Sequence, residues 1–148
     1  MMGSVEPGES SPVKALPPSE SLVVLSTVGT SDDAERIARS LVESRLAACV
    51  NVLPGLTSIY RFEGAVERDA EVLLLIKTRR DTFEALRQAL VAMHPYAVPE
   101  VVALRVEAVH EPYRAWLDEN VRPHSPTVSP RDTGQRGGPS RRPRPDSR

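Results

Sequence analysis

Tyr60-Arg61-Phe62-Glu63-Gly64-Ala65-Val66-Glu67 stands at the centre of the stretch, Ala47 to Thr78, whose reading decides the fold. Gly64 follows Glu63 between two strand-like runs, and glycine supplies the positive φ that a tight reversal requires. The outgoing arm, Ala65 to Thr78, runs 14 residues without proline or glycine, and the incoming arm, Ala47 to Phe62, is interrupted only by Pro54-Gly55. At about 3.3 Å per residue the outgoing arm reaches roughly 45 Å, whereas an ordinary strand has about 5–6 residues. Val66, Ala70, Val72, Leu74 and Ile76 fall on one face. The other face begins polar, with Glu67, Asp69 and Glu71, and turns apolar at Leu73 and Leu75. A sheet covered by helices on one side does not need a second apolar face. A chain this small has little left to cover it, so self-association is expected. The plainer alternative is a long hairpin lying on its own protein.

Working outward, Leu22 to Val28 is apolar on consecutive positions and reads as a strand buried on both faces. Thr30 or Ser31 caps a helix whose first turn holds Asp32, Asp33 and Glu35, where the helix dipole favours negative charge. Ala34, Ile37, Ala38, Leu41 and Val42 form its apolar stripe, and it ends near Arg45. Ala47 to Leu53 begins the second strand, which Pro54-Gly55 bends or bulges before Thr57 to Phe62 resumes it. Asp81 and Glu84 have the spacing of a capping box for a second helix with Phe83, Leu86, Leu90 and Met93 on its buried side. His94-Pro95 stops that helix. Glu100 to Val109 predicts a fourth strand, and Glu111 to Asn120 a short last helix. The order is β-α-β-β-α-β plus a helix: an α+β, ferredoxin-like sandwich with a long hairpin between its second and third strands.

Composition divides the chain. Of 14 prolines, four lie in residues 1–21 and six in 122–148. Residues 122–148 hold seven arginines against Asp132 and Asp146, with no large apolar residue except Val128. Neither end can bury enough surface to offset its ordering entropy, so 1–21 reads as a disordered leader, 22–121 as the domain and 122–148 as a disordered tail. The domain carries 11 Lys/Arg and 15 Asp/Glu, a net of −4 beside a basic tail. That tail is read as a solvated extension, with unspecific contact to an anionic surface as its alternative. The single cysteine, Cys49, excludes an intrachain disulfide framework and fits a reducing compartment. No apolar run approaches the roughly 18 residues of a membrane span, and the N-terminus lacks a secretory pattern, so a cytoplasmic location is expected.

The run Leu46-Ala47-Ala48-Cys49-Val50-Asn51-Val52-Leu53-Pro54-Gly55-Leu56-Thr57-Ser58-Ile59-Tyr60 resembles the CutA family of divalent-cation tolerance proteins. So do Glu63-Gly64, Glu71 through Thr78, His94-Pro95-Tyr96-Ala97-Val98-Pro99-Glu100, and the late Tyr113 and Trp116-Leu117. The resemblance spans about Leu22 to Val121. It implies a tight homotrimer whose hairpins embrace neighbouring subunits, a link to copper and other divalent cations, a likeness to PII-type signalling trimers, and no enzymatic reaction. The sequence departs from the family pattern at Phe62 (tryptophan in many members), at Arg61 (often aromatic), at Ala97 (often glutamate) and at Ser26 (cysteine in some bacterial members). The last change removes the soft ligand that would select copper.

Candidate site residues follow. His94 and Glu100 bracket a proline-stiffened turn, and an imidazole with a carboxylate suits zinc, copper(II) or nickel. The alternative is that His94 caps the carbonyls ending its helix while Glu100 pairs with a subunit neighbour. Cys49 is a third candidate ligand, against a role as a small buried apolar residue. Any copper or zinc is expected to bind weakly, with ligands completed from another chain. Tyr60, Phe62, Glu67, Glu71, Lys77 and Tyr96, with Arg61 beside them, are the candidate lining of an intersubunit pocket for an anion or metabolite. Salt bridges on a solvated rim are the alternative. Tyr96, Tyr113 and Trp116 read as core and interface packing. An unknown protein partner is the remaining expectation, for an adaptor without a metal role. An acylphosphatase would need an early glycine-rich anion loop with arginine, where this chain has the acidic Val28-Gly29-Thr30-Ser31-Asp32-Asp33. An RNA-binding sheet would display aromatics that Leu22 to Leu25 and Val72 to Ile76 lack, so no specific nucleic acid is expected.

Overall fold

A computed structural model describes residues 20–122; the proposed leader and tail lie almost wholly outside them. The elements are β1 (Ser21–Val28), α1 (Ser31–Glu43), β2 (Cys49–Phe62), β3 (Ala65–Arg79), a 3-10 turn (Arg80–Thr82), α2 (Phe83–Met93), β4 (Val102–Arg105) and α3 (Glu111–Asn120). The four strands form one antiparallel sheet in the order β2-β3-β1-β4. With α1 and α2 packed on one side, this is the expected α+β arrangement.

The reversal at residues 63–64 is a two-residue turn. Phe62 pairs with Ala65, and Glu63 and Gly64 both have positive φ, 49° and 81°. Two successive positive φ values match the right-handed twist of the flanking strands. Pro54-Gly55 makes the expected bulge: the register passes from Leu53↔Leu73 to Leu56↔Glu71, so β2 spends one residue more than β3. β1 pairs with β3 only from Val72 to Arg79. The seven residues from Ala65 to Glu71, with their β2 partners, therefore run on past the four-stranded part for roughly 20 Å.

The core lies between the sheet and its helices. Val24, Val28, Leu74 and Ile76 from the strands meet Ala34, Ile37 and Leu41 from α1 and Leu86 and Leu90 from α2, all 0% exposed. Thr30 caps α1 by accepting the Asp33 N–H at 3.2 Å. α3 lies across the end of the sheet where β2 begins and β3 ends. Leu117 and Val121 cluster with Ala48, and Arg79 reaches Asp118 at 3.6 Å.

Several expectations need correction. Asp81 does not cap α2. Its carboxylate is held by the Arg79 guanidinium at 2.7 and 3.1 Å, the chain makes a 3-10 turn, and α2 starts after Thr82 with no side-chain cap. The local ion pair with a partner two residues away wins over the box. β4 is not ten residues long but four, all exposed. Continuing its register (Leu25↔Val102) would set Glu100 against Thr27, but the Thr27 carbonyl is already taken by the His94 ring. Val66, at the start of the expected apolar stripe, is 66% exposed because it lies on the overhanging hairpin beyond the helices. Tyr113 and Trp116 are exposed in the single chain and pack on each other, with ring centroids 5.5 Å apart.

Candidate functional site

The segment after α2 brings the sharpest chemistry together. His94 stands at the helix C-cap, with its N–H bonded to the Leu90 carbonyl. Its imidazole turns onto β1, where Nε2 lies 2.8 Å from the Thr27 carbonyl oxygen. The Tyr96 N–H donates to Nδ1 at 3.1 Å. A carbonyl can only accept and an amide N–H can only donate, so the ring carries its hydrogen on Nε2 and keeps Nδ1 bare. His94 thus closes the β1 edge that β4 leaves open. A metal at either nitrogen must displace one of these bonds.

Tyr96 continues the cluster. Its ring lies 4.7 Å from that of His94, centroid to centroid, and its hydroxyl donates to Glu71 Oε2 at 2.8 Å. Glu71 follows β3 one residue past the last β1 pair and faces Leu56 at the bulge; it is only 3% exposed. A buried carboxylate needs such donors, since leaving it unbonded costs several kcal/mol. Sequence reasoning placed Glu71 and Tyr96 together in the candidate intersubunit pocket and His94 apart from them as a metal ligand. Their union needs the turn to reach the end of β1, a long-range contact with no local signal.

The other candidates are spread along the hairpin. Tyr60 pairs with Glu67 and donates its hydroxyl to Asp69 diagonally across the strands, with Phe62 beside the tip. Arg61 points to the other face, where its guanidinium meets the Gly64 carbonyl at 3.4 Å. Lys77 stands far from them, between Val23 of β1 and Cys49 of β2. These residues line one strip of sheet rather than one pocket, the six-residue step from Glu71 to Lys77 being roughly 20 Å. Cys49 is half-buried, Glu100 exposed and His94 buried. Cys49 registers with Lys77 and Thr27 with Leu73, so Cys49 and the His94 contact are separated by four residues along β3, roughly 13 Å. Among the described residues no three of His, Cys, Asp and Glu gather as a metal set. A single chain therefore does not assemble the copper or zinc site the three candidates suggested. Burial pushes the Tyr113 phenol above its usual range, and the nearby Cys49 adds to the rise.

The strip belongs to a sheet face that the helices do not cover. Leu53 is 52% exposed, Val102 44% and Leu104 48%, and Val23, Leu25, Leu73 and Leu75 are half-buried around them. On the opposite face, a groove of about 350 Å³ between α1 and β2 is lined by Val42, Val50 and Val52 with Glu35, Arg39 and Glu43. None of the predicted site residues lies in it. No helix among the described residues is long and apolar enough to cross a membrane.

Comparison with known proteins places this arrangement. The chain is 53% identical over 98 residues to the divalent-cation tolerance protein CutA of Thermus thermophilus, a match covering 66% of this chain and 95% of that one. It is 44% identical over 102 residues to the chloroplastic protein CutA 1 of Oryza sativa, spanning 69% of this chain but 58% of its relative. The solved structure of the Thermus thermophilus divalent cation tolerance protein superposes with a TM-score of 0.68 at 51% identity, over 69% of this chain and 99% of that one. These relatives are named for tolerance or by family name alone, not for a reaction. The family model described as CutA1 divalent ion tolerance protein matches residues 22–120, and with these identities the chain belongs to the CutA1 divalent ion tolerance family.

Proposed function

We propose that the chain serves divalent-cation tolerance as a homotrimer, with its open sheet face and overhanging hairpin forming the contacts between copies. The observation that carries this reading is the uncovered apolar face. Leu53, Val102 and Leu104 are each more than two-fifths exposed beside half-buried Val23, Leu25, Leu73 and Leu75. A contiguous apolar patch of this kind marks an interaction surface. The hairpin that overhangs it, with Ile59 and Val66 exposed on its other face, gives one copy the reach to engage another. Copper or zinc is then held weakly, by ligands drawn from more than one copy. Exposed Glu100 and half-buried Cys49 are the contributors, and His94 keeps its structural bonds.

A second reading is a PII-like trimer that senses a small molecule or docks a partner protein without a metal role. It is favoured by His94, whose two nitrogens are already engaged within the chain. Native mass spectrometry with and without one equivalent of Cu(II) or Zn(II) separates the two. A trimer that gains metal, and loses it on Glu100→Gln or Cys49→Ser, supports the first. A trimer without metal uptake moves the function to the second. A monomer overturns the assembly on which both stand.

A further inference from the structure

We infer that the Pro95–Pro99 turn is a proton-operated latch: uptake of a proton at His94 Nδ1 opens the turn and withdraws Tyr96 from Glu71. With both ring bonds made, His94 is neutral, and a second proton can enter only at Nδ1. There it points at the Tyr96 N–H. Two donors then face each other between residues that are 7% and 6% exposed. The yielding part is the turn. Thr27 is fixed by its strand pairing with Leu73, whereas Pro95, Ala97 and Val98 are exposed.

The charged groups at this end are few. β1 has no titratable side chain from Ser21 to Val28. β3 brings Glu71, one hydroxyl away through Tyr96. α1 brings Arg36, which donates to the Met93 carbonyl at 3.1 Å, and Asp33, which holds Arg36 at 3.2 Å. α2 carries Glu84 and Arg87 paired to each other, and the turn runs on to exposed Glu100. Glu71 draws a proton toward the ring and Arg36 opposes it, but neither removes the clash of two N–H groups. Opening the turn does. Because Tyr96 links the same turn to the buried Glu71, a proton taken up beside β1 is felt at the hairpin bulge.

The test is hydrogen exchange on the full chain at about pH 7.5 and about pH 5, corrected for the intrinsic rate. A ring that binds a proton only when open, with its ordinary value near 6.5, raises the open population by up to roughly 30-fold over that interval. A rise above about threefold at the Tyr96 amide, which donates to the His94 ring, absent in His94→Gln, supports the latch. A smaller rise, or an equal rise in the variant, overturns it. If His94→Gln does not fold, nitrogen NMR of the native His94 ring decides. Protonation together with loss of amide protection is expected, and protonation with the turn still protected overturns the inference.

Discussion

The two faces of the sheet are built from the same kinds of residue and end in different states. On the helix side, Val24, Leu74 and Ile76 are 0% exposed beneath α1 and α2. One residue along each strand, Val23, Leu25, Leu73 and Leu75 are half-buried with no helix among the described residues sealing them, and Leu53 is 52% exposed. Alternation along a strand sends neighbours to opposite faces, so a strand apolar at consecutive positions has two apolar faces to cover. One cover is supplied by the chain itself. The other is not supplied by the described sheet and helices.

The largest expected effect separates the faces directly. Leu74→Ala removes a fully buried side chain from the closed face and should cost about 3–4 kcal/mol in chemical denaturation. Leu53→Ala on the open face should cost under about 1 kcal/mol if the chain stays a monomer. The double change Leu53→Glu with Leu104→Glu sharpens the contrast, because it leaves the helix side untouched. Circular dichroism should remain native while native mass spectrometry shows the assembly dissociated. Retention of the full oligomer in that variant would mean the open face is not the interface.

Tyr96→Phe comes next. It removes the hydroxyl that donates to the buried Glu71 and should lower stability by about 1–2 kcal/mol in a thermal melt. The contrast here is between a polar group sealed inside the chain and those on the open strip. Tyr60→Phe, which breaks the analogous bond to Asp69 on the overhang, should cost well under half as much because water replaces the lost partner. Thr30→Ala, which leaves the Asp33 N–H without its cap, should cost about 1 kcal/mol.

Much of this was legible in the sequence because it rests on local rules. Glu63-Gly64 announces a turn needing positive φ, Pro54-Gly55 a bulge, Thr30 a cap, and the spacing from Ala34 to Leu41 a buried stripe; all four are where those rules put them. What was not legible depends on partners distant in sequence or on competition between neighbours. Asp81 had two uses within reach, capping α2 or pairing with Arg79, and spacing alone does not say which is stronger. The start of β4 was set by His94, which reaches Thr27 across 67 positions and takes the edge the strand would have used there. The site suffered most from this. His94, Glu71 and Tyr96 show little one by one, and it is Tyr96 that joins the other two, through its N–H to His94 and its hydroxyl to Glu71.

The smallest expected effect lies on the outer surface of α2. Hydrogen bonds from the Arg87 guanidinium, at 2.5 and 2.9 Å, hold the Glu84 carboxyl below its ordinary value of 4.5. A folded-state value below the unfolded one stabilises above the unfolded value and is lost as pH falls through the folded one. The window therefore lies below about pH 4.5. Both side chains are well exposed, Arg87 at 38% and Glu84 at 50%, so water and salt screen the pair. Glu84→Gln should lower stability at neutral pH by only a few tenths of a kcal/mol, less at high salt, and the difference should shrink as pH falls below about 4.5. A surface pair three residues apart on one helix needs no cover from another copy. Its effect should be the same at every protein concentration, whereas an open-face change whose partner is a second copy should show an effect that depends on concentration.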